Sequence, residues 1–115
     1  MKYLLLFTSF FFLVSCSTTI SSFNGNVLDI EQNVVQVDCS SAVNRNKRGA
    51  IQDIGYICFV MITEETVIKD KNGTQIGIDN LEKEKNVQVV LNKKENISES
   101  KSSREVIAKE IIIFN

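Results

Sequence analysis

Residues 23–115 predict an all-β domain, and three observations predict it. Apolar residues recur with a period of two, as in Val35-Gln36-Val37-Asp38-Cys39, which suits strands with one face in a core. Polar turn signals separate the runs, notably Glu31-Gln32-Asn33 and Asp70-Lys71-Asn72-Gly73. The runs come in the order three strands, a small hairpin with one helical turn, then two strands. Five main strands with an insertion between the third and fourth is the order of a small OB-like barrel. A short lipocalin-like barrel is the alternative. One helical turn is too little for an α/β fold.

Each element has a local reason. The first strand is expected over Phe23–Ile30, with Gly25 marking a bulge or bend. Glu31-Gln32-Asn33 turns the chain into a second strand, Val34–Ser40. Residues 41–53 hold Arg45-Asn46-Lys47-Arg48-Gly49 and little apolar content, so they read as a long basic loop. The third strand, Ile54–Thr63, is the most apolar stretch and the expected central strand. Val67-Ile68 and Thr74–Ile78 form a hairpin across Asn72-Gly73, a pair that supplies positive φ angles. Asp79 or Asn80 caps a single helical turn with Leu81 pointing inward. Val87–Leu91 is a strand, residues 92–104 a polar mobile loop, and Glu105–Phe114 the last strand.

The N-terminus has a different character. Lys2 precedes an apolar run of 12 residues, Tyr3–Val14, and Ser15-Cys16 follow. A helix of that length spans about 18 Å at 1.5 Å per residue, well short of the roughly 30 Å of a bilayer core. It therefore reads as a removable signal peptide over residues 1–15. A small residue directly before a cysteine resembles the lipobox of bacterial lipoproteins. That resemblance implies cleavage between Ser15 and Cys16, a diacylglycerol on the Cys16 sulfur and an acylated amine. One acyl chain anchors marginally, whereas two or three hold firmly. Residues 16–22 are small and uncharged and read as a flexible tether. The expected address is the cell envelope, membrane-anchored and facing the periplasm or exterior. Ser17 is not the Asp that retains lipoproteins at an inner membrane, which favours the outer membrane if the source has two.

Composition excludes more than it suggests. Removing the signal leaves 100 residues, one domain with a modest core. Lys2 leaves with it, so 12 basic residues face 14 acidic ones, a net of −2. That is a poor balance for nucleic acid, which wants a strongly basic face. The chain has no His, Trp or Pro. The commonest general base and metal ligand is therefore missing, and no metal, cofactor or Ser-His chemistry is expected. Cys39 and Cys58 remain. In an oxidising compartment a disulfide is allowed. Setting Cys39 opposite Cys58 puts Val37 opposite Val60 and Val35 opposite Ile62, all on one face. Two buried thiols, or a redox or metal pair, are the other readings. The latter is poor, because two cysteines without His make a weak zinc site.

Several motifs resemble the YobA-like domain of small bacterial lipoproteins and secreted proteins, a domain of unknown function. They are Gly25-x-Val27, Thr66-x-Ile68-x-Asp70-x-x-Gly73-x-x-Ile76, Leu81 followed by Val87-x-Val89, and Ala108 before the final Ile run. The resemblance spans roughly residues 23–113. It implies an OB-like barrel and transfers no catalytic residue. The family's Leu-x-x-Gly is broken here, because Glu84 stands at the glycine.

The candidate contacts are few. Arg45, Lys47 and Arg48 form the one basic cluster, and with Tyr56, the nearest aromatic in sequence, they are the candidate ligand contacts. Glu64-Glu65 are adjacent on a strand end and point to opposite faces, so they do not make an acid–base pair. The expectation is a non-enzymatic, monomeric, lipid-anchored binding domain whose partner is an envelope protein, a peptide or a glycan. The alternative is an inhibitor or protective factor that inserts the 41–53 loop into the cleft of an extracellular lysozyme or protease.

Overall fold

The computed structural model describes residues 19–45 and 55–114. Alternation makes its strands. β1 (Ile20–Glu31) buries Phe23 and Val27, β2 (Val34–Asp38) buries Val35 and Val37, and β3 (Ile57–Met61) buries Cys58 and Val60. Between β2 and β3 lies a four-residue helix, α1 (Ser40–Val43). β4 (Val67–Asp70) and β5 (Gln75–Ile76) form the hairpin. β6 (Asn86–Glu95) and β7 (Glu105–Ile113) complete one sheet of seven strands.

The sheet order is β3-β2-β1-β6-β7-β4-β5, and β3 also pairs with β7. Pairings therefore run from β1 through β2, β3, β7 and β6 back to β1, while β4 and β5 hang on β7. The β3–β7 and β4–β7 ladders are parallel, and the others are antiparallel. The core lies inside that circuit. Val27, Val35, Val37, Val60, Val89 and Ile111 are fully buried there.

β1 serves two partners. Its first half pairs with β6 as far as Asn26↔Asn86, and its second half pairs with β2 from Val27↔Val37. Gly25 stands at the changeover. A Cβ there would lie 1.9 Å from the Asp38 carbonyl oxygen, so close backbone approach demands glycine. Three turns use the left-handed region, and Gln32 in the β1–β2 turn has φ 54. Gly73 has φ 86, and the Asp70 Oδ1 accepts from the N–H groups of Asn72 and Thr74. Glu84 has φ 72 and makes the tight turn without a glycine. Its N–H donates to the Val27 carbonyl at 2.7 Å, and the Val27 N–H donates to the Lys85 carbonyl at 2.9 Å.

Several expectations need correction. β1 begins at Ile20, not Phe23, because β6 runs on to Glu95 and supplies a partner for Ile20. Ile20, Ser21 and Ser22, read as tether, are therefore strand. β2 ends at Asp38, and Ser40–Val43 coil into α1 because Ala42 and Val43 are buried there. The single helical turn past the hairpin is a 3-10 turn at Ile78–Asn80, with no side-chain cap from Asp79 or Asn80, and Leu81 is buried behind it. The stretch 92–104 is not a featureless loop. Ile97 is 1% exposed, Ser103 bonds Ser98, and Ser102–Arg104 form a 3-10 turn.

Cys39 and Cys58 are joined by a disulfide, with Cα atoms 5.7 Å apart. The register differs by two from the expected one: Val37 faces Cys58, Val35 faces Val60, and the Cys39 N–H donates to the Tyr56 carbonyl. A two-residue slip keeps every side chain on its face. Cys39, one residue beyond the end of β2, reaches Cys58 diagonally.

Three stability outcomes follow. Gly25→Ala should cost about 2 kcal/mol through overpacking against Asp38, read as a lower urea midpoint. Glu84→Gly should stabilise by about 0.5–1 kcal/mol, because it relieves a left-handed residue while adding some unfolded-state entropy. Replacing Cys39 and Cys58 together by Ala should cost about 3 kcal/mol, the closure entropy of a loop of about 20 residues. Unchanged midpoints would refute the respective assignments.

Candidate functional site

On β2, β3 and β7 the residues that alternate with the core face outward, and on β3 these too are apolar. Ile57, Phe59 and Met61 alternate there with buried Cys58 and Val60. Register places Val34 of β2 beside Met61, and Met61 beside Ile107 of β7. Met61 is 46% and Ile107 41% exposed, among the most exposed large apolar residues described. With Val34 and half-buried Phe59 they line a groove of about 460 Å³. Strands apolar on both faces usually carry cover on both, and this face is open.

Charges rim the groove. The Lys101 Nζ stands 5.1 Å from the centre of the Phe59 ring and 3.8 Å from a Glu105 carboxylate oxygen. A cation over an exposed ring contributes about 0.5–1 kcal/mol, enough to bias the lysine toward the rim. A neighbouring hollow of about 770 Å³ shares Met61 and is lined by Gln32 and Asn33 at the β1–β2 turn. Another shares Ile107 and is lined by Glu64, Glu65 and Lys109. Glu64 and Glu65 are both exposed, at the turn between β3 and β4.

The basic cluster lies elsewhere. The Arg45 guanidinium donates to the carbonyls of Ala42 and Ile97 and to the Asn96 Oδ1 at 3.1 Å. It ties α1 to the segment after β6. Lys47 and Arg48 lie outside the described residues, as does the centre of the loop on which an inhibitor would depend. Tyr56 is half-buried against the core, and its N–H donates to the Ser40 Oγ at 2.9 Å. The cation over its ring is Arg104, 5.4 Å from the centroid, not Arg45. Arg104 also donates to the carbonyls of Ile57 and Glu99. No local pattern in the sequence pairs Arg104 with Tyr56. The groove did leave a signal, because Phe59 and Met61 are apolar at the parity opposite to Cys58 and Val60.

Among the described residues no three His, Cys, Asp or Glu side chains come together to hold a metal ion. Ser98, Ser100 and Ser103 cluster, with hydroxyls 3.0 Å apart between Ser98 and Ser103 and 3.3 Å apart between Ser98 and Ser100. They close the turn before β7, and a chain without His offers them no imidazole base. No helix among the described residues is long and apolar enough to cross a membrane. Ser15 and Cys16 lie outside the described residues. The chain matches no protein-family model, no curated protein and no solved structure.

Proposed function

We propose that the protein is a lipid-anchored cell-envelope lipoprotein whose β-domain is a non-catalytic binding module. The observation that carries the anchor is the N-terminal pattern: Lys2, a largely apolar run of twelve residues, then Ser15-Cys16, with Cys16 only four positions before β1 begins at Ile20. The resemblance to YobA-like lipoproteins supports the same reading. The circuit β1–β2–β3–β7–β6, with β3 and β7 parallel and the β4–β5 hairpin inserted in the chain between β3 and β6, supports an OB-like barrel. Folds of that kind bind on the face of their second and third strands. Val34, Phe59 and Met61 lie on the corresponding face here. Its chemistry is apolar with a Lys101–Glu105 rim. That suits the apolar side chains of an envelope protein or peptide better than a nucleic acid.

Two measurements test this. Intact mass of the native protein extracted from membranes should show an N-terminus at Cys16 carrying acyl chains. A soluble, unacylated product would overturn the anchor. Met61→Ser with Ile107→Ser should shift stability by less than about 1 kcal/mol, since both side chains are substantially exposed. The same pair should abolish cross-links formed in intact cells from a photoreactive residue at position 34. Cross-links that survive would remove the groove as the binding face.

A further inference from the structure

We propose that the occupant of the apolar groove is a second copy of this chain, seated face to face across a two-fold axis. This rests on the binding-module reading, and puts a dimer where the sequence led us to expect a monomer. Ile107 stands between two hollows. The groove on one side of it is rimmed by Lys101 and Glu105. The hollow on the other side is lined by Glu64, Glu65 and Lys109. On β7, Glu105, Ile107 and Lys109 are all exposed and alternate with buried Val106 and Ala108. The outward face of that strand therefore reads anion, apolar, cation. From Glu105 to Lys109 is about 13 Å at the rise of a strand, with Ile107 midway.

That order is complementary to itself in one arrangement. A two-fold axis running across the strands at Ile107 lays β7 antiparallel over β7 of the second copy. Val34, Met61 and Ile107 form one row across the sheet, so each meets its own counterpart. Glu105 of each copy then lies over Lys109 of the other. Lys101, on the Glu105 side, comes toward the Glu64–Glu65 turn. An axis along β7 would instead bring Glu105 onto Glu105 and Lys109 onto Lys109, like charges that complementary interfaces avoid. Around the face, Lys101 and Lys109 stand against Glu31, Glu64, Glu65 and Glu105. The carboxylates in excess stay at the solvated rim, where salt screens them. Facing sheets pack about 10 Å apart, which gives Met61 and Ile107 the cover that a strand apolar on both faces calls for. The row crosses only β2, β3 and β7, less than a standard interface of about 800 Å² per partner. The dimer is accordingly weak in dilute solution, and anchoring both copies in one membrane raises their effective concentration.

The test uses the full chain in intact cells, with the photoreactive residue at position 34. The main cross-linked product should have twice the mass of the protein, and its peptides should join position 34 to β2 of a second copy. Glu105→Lys alone and Lys109→Glu alone should each lower the yield several-fold, because each sets like charges on one another twice. Co-expressing the two variants, one of them carrying a mass tag, should restore the yield, with tagged and untagged copies joined to each other. Both positions are exposed, so urea midpoints should hardly move. A main product joining this chain to a different protein would overturn self-association and keep the groove as a binding face. Failure of the mixed pair to recover would likewise overturn the two-fold dimer. Absence of any cross-link from position 34 would overturn the groove and the dimer together.

Discussion

β1 is divided between two partners, and the circuit of strands depends on the place where it changes hands. Before that point it lies along β6, and after it along β2. The Asp38 carbonyl comes in over Gly25 at a distance that no side chain allows. If β1 could not bend there, β2 and β6 could not both reach it, and the β3–β7 pairing on the far side would have nothing to complete. Val27, just past the bend, shows the result. It is fully buried, and its backbone amide and carbonyl are both taken by the Glu84–Lys85 turn.

Parts of the chain outside the ladders are held by cations. Arg45 spends its guanidinium on backbone carbonyls of α1 and of the segment after β6. Arg104 does the same for β3 and the turn before β7 while stacking over Tyr56. Charged donors on carbonyls are stronger than neutral ones, which lets short, irregular pieces keep their place around Ile97 and the disulfide. The Arg104 Nε is buried without a hydrogen-bond partner, a cost set against the other contacts of that side chain. The apolar groove lies beside this assembly, on strands locked from behind by Cys58 and Val60. A rigid backing of this sort loses little entropy when a partner binds.

Strand existence was legible in the sequence because a period of two is a local signal. Register was less so. Alternation specifies which face a residue takes, but two registers that differ by two residues satisfy it equally. That is how Cys39 and Cys58 were placed on one face and yet misaligned. Ala42-Val43 and Ile97 are brief apolar islands in polar surroundings, and only the neighbours that cover them reveal them as core. The groove was half-visible. Phe59 and Met61 marked β3 as unusually apolar, and the expected inference was a central strand. β3 does lie between β2 and β7, but nothing described covers its outer face. Arg104 over Tyr56 joins residues 48 positions apart, and no spacing rule reaches that far.

β7 has a consequence for how the domain comes into being. It pairs with β3, β4 and β6, and all three precede it in the chain. Until residues 105–113 are available, β3 and β6 each lack a neighbour and Ile111 is missing from the core. Parallel partners distant in sequence also form slowly, because loop closure precedes any reward. Assembly is therefore a late, all-or-none event. A chain still being synthesised would remain unfolded, with structure arriving only after its last strand emerges.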